Sequence, residues 1–454
     1  MLVKDPETAE LLYDLSDDLS SISTNKAYGR CSGTWQIMLR YRGKEWKESN
    51  TNSALKFEWN EILQPNMMVT IEMDAGNGAG FFPVMCGLID RVSVVRQGGL
   101  VPQRSVKVSG RDMGKLLETH DVAYDIIAYN KEVQKLAAQD GTTQPLTRVS
   151  REWDRIATAG SPGDIITAVY GATMGELTTT KRMLFRDHAQ DTWQVFQPNM
   201  ASAQGIPFWS YIKQVERAPM NIICSDTNRK NVDWFEFWIQ KQPIDDETGM
   251  LRPLNDEWHT IGEPEITDGD LGVSDGERIN LVSYQPAIHS QGHVFSYDVS
   301  MAHPDLTKWD EEDVKKNGLH PKVFTDSFTP PEMQALYDAD QGNVIKAINT
   351  AKGVASALWN WFKNIHTYET GTLTIHLRPD IRIGSGLLVK QRDSDEYKEY
   401  LIEQVIHQCV FGERPAFTTT LHLTRGQKAS PRATDKAGPP KPVSDATPPE
   451  RTNG

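Results

Sequence analysis

Residues 88–92 read Leu88-Ile89-Asp90-Arg91-Val92, and residues 401–405 read Leu401-Ile402-Glu403-Gln404-Val405. Five residues alone are a weak match, since two ordinary strands can look alike. The flanks strengthen it. Pro65 stands 23 positions before Leu88, and Pro379 stands 22 before Leu401. An apolar strand follows each proline, Met67 to Ile71 in one place and Ile381 to Val389 in the other. Downstream, Val106-Lys107-Val108-Ser109-Gly110-Arg111 lines up with Leu421-His422-Leu423-Thr424-Arg425-Gly426, beginning 18 residues after Leu88 and 20 after Leu401. Strand order, breaker and spacing agree between regions far apart in the chain. Two similarly folded antiparallel β-barrels in one chain are therefore expected, with Leu88, Ile89 and Val92 in the barrel positions of Leu401, Ile402 and Val405.

Outward from these segments the chain is mainly β, with mixed α/β insertions. Residues 1–30 read as an N-terminal helix or arm: Leu11, Leu12, Leu15 and Leu19 fall near helical spacing, so a short amphipathic helix is expected there. Residues 31–120 carry strand patterns at 34–41, 67–73, 84–95 and 104–109, divided by Gly, Pro and Asn clusters, and form most of the first barrel. Residues 121–215 look mixed, with helices expected over 125–138 and after Ser161, where Pro162 suits a first helical position. Residues 216–300 hold strands at 220–224, 234–239 and 279–299, around a polar stretch at 240–278, and lead into the second barrel. Residues 301–370 leave the β pattern. Within them Val344, Ile345, Ile348, Ala351, Ala355, Leu358, Trp359 and Phe362 mark one face of a helix of about five turns. Its face suits packing on its own domain or docking on a neighbour. Residues 371–426 supply the closing strands of the second barrel. Residues 427–454, rich in Pro, Lys, Ala and Thr, form an extended, disordered-type tail unable to build a core, expected to be held by another chain.

The chain has 454 residues, enough for about three domains and for cores that need no disulfides. Its net charge of -13 argues against general adhesion to nucleic acid or anionic membranes. Cys31, Cys86, Cys224 and Cys409 lie far apart with no C-x-x-C pair. The last three sit in apolar strand-like runs and read as buried free thiols of a chain made in a reducing cytosol. Met1-Leu-Val-Lys-Asp-Pro-Glu7 lacks the basic-then-apolar order of a signal peptide, so none is expected there. No run of about 18 apolar residues offers a membrane anchor.

Candidate chemistry is thin. His289 and His293 lie four apart, with His303 later, but the flanks are loop and strand, and the glutamate of an H-E-x-x-H zinc motif is absent. Asp268, Gly269, Asp270, Asp275 and Glu277 have the composition of a calcium loop. Counted from Asp268, though, position six is Val273 and position twelve is Ile279, which breaks the EF-hand pattern. Gly76-Asn77-Gly78-Ala79-Gly80 joins strands and lacks the Lys-Ser/Thr of a phosphate loop. Cys409 and His407 share a strand face without a third orienting group. No catalytic, metal or cofactor residue is assigned.

The runs Leu377-Arg378-Pro379-Asp380-Ile381-Arg382-Ile383-Gly384, Glu399 to His407 and Phe417 to Gly426 resemble the closing strands of phage tail baseplate hub proteins. Ile62 to Val69, Cys86 to Ile89 and Val106 to Asp112 are similar to their first barrel, and Gly272 to Asn280 to the entry into the second. The hub part of type VI secretion spike proteins is similar too. The likeness covers 34–120 and 215–426 with gaps; residues 300–370 match no pattern of the family. The resemblance implies two tube-protein-like barrels per chain and a homotrimer that adapts a six-fold tail tube to a three-fold spike. It also implies contacts with the tube or tube-initiator protein, the spike or tip protein, baseplate wedge proteins and a tape measure protein. DNA or effector would pass through the lumen without specific binding; the net charge of -13 leads to the expectation that acidic and neutral polar side chains line it, with Lys and Arg mostly turned outward. A virion location after assembly in the host cytoplasm follows. A wall-degrading tail lysin and a six-copy tube adaptor are the rival readings.

Overall fold

A computed structural model describes residues 1–40, 58–74, 80–97, 103–121, 162–173, 182–188, 206–216, 220–245, 249–253, 256–285, 287–290, 293–296, 304–325, 341–392, 396–412 and 414–436. The N-terminal third gives β1 (Leu2–Lys4), β2 (Leu11–Asp14), β3 (Leu19–Ala27), β4 (Thr34–Arg40), β5 (Met68–Asp74), β6 (Phe81–Gln97) and β7 (Gln103–Asp112). They hydrogen-bond antiparallel in the order β3-β4-β7-β6-β5-β1-β2. This sheet rolls around one core that joins Val3, Leu15, Ile22, Trp35, Ile37, Leu39, Val69, Ile71, Met85, Ile89, Val106 and Val108.

The helix expected near residues 11–19 is absent. Leu11 and Leu12 are exposed, 57% and 41%, while Leu15 and Leu19 are buried. Asp14 accepts a hydrogen bond from the Ser16 amide at 2.9 Å, a local turn that competes with helix. The strand that follows, β3, escaped the sequence reading because Thr24 and Lys26 on its buried face are polar.

A mixed unit comes next, with β8 (Met183–His188), β9 (Asn221–Thr227) and β10 (Phe235–Lys241). β10 lies parallel to β8 and antiparallel to β9. The expected helix after Ser161 spans Pro162–Thr173; together with helices Gly114–Thr119 and Phe208–Val215 it covers this sheet, around Phe208, Tyr211, Ile212, Phe235 and Phe237. β9 and β10 thus bond to β8 and belong to this unit, not to the link into the second barrel expected over 216–300. The helix expected over 125–138 lies outside the described residues.

The polar stretch 240–278 is not all loop. It holds β11 (Trp258–Ile261) and β12 (Ile266–Val273). β12 lacks apolar alternation because it lies at a sheet edge and is mostly exposed. β13 (Leu281–Gln285), β14 (Ala287–Ser290), β15 (His293–Ser296), β16 (Thr307–Trp309) and β17 (Pro321–Thr325) follow. β13 pairs with β16 and β17, and the helix Gln341–Phe362 packs on this small sheet. Ala351, Val354, Ala355 and Leu358 fill a common core with Val282, Tyr284 and Leu306, so this part of the helix is spent inside its own chain.

β18 (Glu369–His376), β19 (Gly386–Lys390), β20 (Tyr397–Val410) and β21 (Ala416–Lys428) complete a second roll with β12, in the order β12-β18-β21-β20-β19. Its core joins Leu373, Ile375, Ile381, Ile402, Val405, Leu421 and Leu423. The start of the expected extended tail is docked on this roll. Ser430 caps the helix Pro431–Asp435, and its amide and hydroxyl both donate to buried Glu399 at 2.9 Å. Arg432 and Lys436 each reach Asp256 at 3.1 Å.

Candidate functional site: the seam between the two rolls

The two rolls have one topology. Taken in chain order, β3, β4, β5, β6 and β7 are strands one to five of the first roll, and β12, β18, β19, β20 and β21 those of the second. Both sheets run one-two-five-four-three, antiparallel throughout. The match extends to register. Leu88 faces Met68 and Arg111, while Leu401 faces Gly386 and Thr424. The ladder of the fourth and fifth strands skips Asp90 in the first roll and Glu403 in the second, the same position. The ladder of the first and second strands skips Ser20 and Thr267, again equivalent. Each skipped hydroxyl donates to the same carbonyl position, Ser20 to Met38 at 2.9 Å and Thr267 to Thr374 at 3.0 Å. Bulges are specific backbone features, so two at matching places are strong evidence of one plan used twice.

Leu88, Ile89 and Val92 thus occupy the positions of Leu401, Ile402 and Val405. Two details of the sequence alignment change. Val108, not Val106, is the counterpart of Leu421, a shift of two residues that keeps the same face inward. The prolines are not the matching breakers; Asn66 and Gly384 are. Both have left-handed backbones, φ 68° and 74°. Asn66 and Gly384 donate to the carbonyls of Ile89 and Ile402, each at 2.8 Å. Glycine and asparagine are the residues that tolerate this conformation most readily.

The rolls meet at a seam. β20 pairs antiparallel with β3, from Gln404 opposite Ala27 to Val410 opposite Ser21, so one sheet runs through both. Tyr28 and Phe411 extend the ladder at its two ends, donating to the carbonyls of Glu403 at 2.6 Å and Ser20 at 2.9 Å. Gln404 donates to the Asn25 side chain at 2.7 Å. Cys409 lies opposite Ile22 and joins the core of the first roll.

Charged groups lock the underside of the seam. Lys26 of β3 hydrogen-bonds Asp226 of β9 and lies 3.7 Å from Asp112 at the end of β7. Arg382, in the turn before β19, donates to the Asp226 carboxylate at 3.0 Å, to the Thr227 carbonyl at 2.5 Å and to the Pro83 carbonyl of β6 at 3.3 Å. One guanidinium thereby ties the second roll to the first and to the mixed unit. Burial opposes the charged form of Asp226, but Lys26 and Arg382 overcome it and hold the carboxyl below its usual range. Burial raises Asp112 to about 7, although Lys26 and the Gly33 and Gly114 amides favour its anion. Such a cluster is costly to break, because removing one partner strands the others' charge. Sequence reading missed Lys26, Asp112, Asp226 and Arg382. The one visible signal was Arg382 between Ile381 and Ile383, a charge inside a buried run.

The candidate chemical residues are scattered. His289 and His293 sit on the β14–β15 hairpin, and His303 is outside the described residues, as are residues 75–79 of the glycine-rich loop. Asp268 and Asp270 are exposed along β12, and Asp275 and Glu277 in the turn beyond it. Among the described residues no group of three His, Cys, Asp or Glu is placed to hold a metal ion. His407 lies 2.9 Å from the Thr419 hydroxyl, and burial depresses it to about 4. Burial pushes the Cys409 thiol up to about 11, so it is no ready nucleophile. All four cysteines are free and buried.

No protein-family model matches the chain, and no curated protein does. Among solved structures the chain is similar to phage tail proteins. A 43 kDa tail protein of prophage MuSo2 from Shewanella oneidensis is 12% identical, with 93% of this chain and 97% of that one covered at a TM-score of 0.49. A tail protein from Neisseria meningitidis MC58 is 10% identical, covering 93% and 96%, also at 0.49. A component of the Escherichia coli type VI secretion system is 9% identical, covering 91% of this chain and 74% of that chain at 0.42.

Proposed function

We propose that this chain is the structural hub at the centre of a phage tail baseplate, or of a related injection device. The supporting observation is the repeated roll: one chain carries two copies of the same five-strand plan, side by side in a shared sheet. A tube of six-fold symmetry ends on six equivalent surfaces. Three such chains in a closed cyclic assembly supply six from one gene product. The resemblance of 377–384, 399–407 and 417–426 to hub closing strands supports the same reading. The domain plan follows from it: two rolls carry the ring, and the mixed segments between them face other baseplate parts.

In this role the chain's chemistry is assembly. Its partners are two further copies of itself, the tube or tube-initiator protein on one side, the spike or tip on the other, wedge proteins around, and a tape measure protein within. The net charge of -13 suits a lumen that DNA crosses without gripping, since each neutralised phosphate would add salt-dependent affinity. The hub is part of the virion and assembles in the host cytoplasm. Native mass spectrometry of the purified chain tests the reading: three copies are expected, whereas six would favour a tube adaptor. A zymogram on cell-wall material tests the tail-lysin alternative, and clearing by the purified chain would overturn a purely structural role.

A further inference from the structure

The seam between β20 and β3 uses the second roll's fourth strand and the first roll's first strand. Each roll also contains the strand the other one lends. The first roll's fourth strand is β6, and the second roll's first strand is β12. Among the described residues, β6 from Arg91 to Gln97 is laddered only to β7, and β12 only to β18. Their counterparts in the seam, 404–410 of β20 and 21–27 of β3, are bonded on both sides. Among the described residues a protomer therefore has two edges without a partner strand, and these are, by position, the two halves of the seam it already contains.

We propose that these edges join between protomers: β6 of one chain pairs antiparallel with β12 of the next, in the register of the internal seam. This rests on the hub reading and says which surfaces build the ring. Carrying the internal register across by equivalent positions sets Val92 opposite Val273, Val94 opposite Leu271 and Arg96 opposite Gly269 on one face. On the other face Arg91 meets Ser274, Ser93 meets Gly272 and Val95 meets Asp270.

Three observations favour this occupant. The first is apolar match. Val273 is 60% exposed in the single chain, a large exposure for a valine on a strand. Leu271 packs at the margin of the second roll's core and Val92 at that of the first. Pairing would join the two cores, as Cys409 already joins the first core across the internal seam. The second is size: the long stem of Arg96 falls opposite Gly269, which brings no side chain of its own, so only Leu373 on the neighbouring strand flanks it. The third is charge. The β6 edge from Arg91 to Gln97 has two arginines and no acid, while β12 has Asp268 and Asp270 and no base. Open strand edges invite pairing of this kind, and the internal seam shows that this fold accepts it. Because the contact is head-to-tail, it repeats until the rotation closes the ring.

The test is a paired substitution, Val94→Cys with Leu271→Cys, in the full chain. Residues directly opposite across an antiparallel ladder lie about 4.5–5.5 Å apart at Cα, within disulfide reach. Mild oxidation should give reducible species of two and three linked chains on a denaturing gel. Neither single substitution should do so, and the four native thiols are buried. Val92→Cys with Val273→Cys is the second pair and must behave alike, which guards against misfolding of one variant. Native mass of the unaltered chain is read alongside. Three copies with no linkage in either pair would overturn the edge assignment and leave the hub reading standing. A chain that stays single at every soluble concentration would overturn both.

Discussion

The two rolls share topology, two bulges and a left-handed turn, yet equivalent positions hold very different residues. Lys26 in the first roll corresponds to Val273 in the second, Thr24 to Leu271, and Ile22 to Gly269. His407 in the second corresponds to Val94 in the first, and Cys409 to Arg96. The first member of each pair lies in the internal seam and is buried; the second lies at an open edge and is half-buried or exposed. Backbone plan is therefore carried by turns and bulges, while side chains follow whatever lies across the edge. The buried seam has taken an ion cluster supported by the mixed unit, and the open edges have kept valines, glycine and opposite charges.

The largest expected contrast comes from one pair of equivalent sites. Lys26→Met should cost about 3–5 kcal/mol, because Asp226 and Asp112 lose their shared cation in a buried setting. Val273→Lys at the equivalent site should change the single chain by less than about 0.5 kcal/mol, as for most exposed positions. Denaturant unfolding of both variants, at a concentration where the chain is single, reads the difference. Equal costs would remove the claim that only one of the two sites is in a seam.

The next contrast is in pH. His407 is depressed by burial to about 4, with Asp380, Asp226, Arg382 and Lys26 around it. A base whose folded value lies below its unfolded one adds stability above the unfolded value, here 6.5, and loses it as pH falls. Stability should drop by roughly 2–3 kcal/mol between pH 6.5 and 4 on this group's account. His407→Asn should flatten that part of the profile, whereas Val94→Asn at the equivalent site should leave its slope alone. A thermal melt series across this window decides it. Asp112, raised to about 7, works in the opposite sense, with stability lost as pH rises from 3.8 toward 7. Asp112→Asn isolates that limb.

The tail gives the third comparison. Truncation after Gly426 removes Gln427 and Ser430, both bonded to fully buried Glu399. It should cost roughly 1–3 kcal/mol, the range for a buried polar group left unpaired. Truncation after Lys436 should leave the melting temperature unchanged. The smallest effect is also the most even: Ser20→Ala and Thr267→Ala each remove the hydroxyl of an equivalent bulge, so both should cost about 1 kcal/mol.

Much of this plan could be read from the chain. Leu88 to Val92 and Leu401 to Val405 carried the repeat, since two-residue periodicity on a half-buried sheet leaves a clear mark. Less could be read where burial and polarity disagree. β3 buries Thr24 and Lys26, so its pattern looked like a polar arm, and β12 buries almost nothing, so it looked like a loop. The prolines misled because they are the loudest breakers in sequence, whereas Asn66 and Gly384 hold the turn. The seam's ion cluster draws Lys26, Asp112, Asp226 and Arg382 from four distant segments, and no local pattern predicts that meeting.

In the proposed hub each chain fills two adjacent places in a six-place ring. An electron-microscopy density of the purified assembly, viewed down its axis without imposed symmetry, tests it most directly. Six rolls in three-fold order should appear, alternating between a roll flanked by the β8–β10–β9 unit and one flanked by the helix Gln341–Phe362. Six identical rolls from six chains, or an open arrangement in which the β6 and β12 edges face solvent, would contradict it.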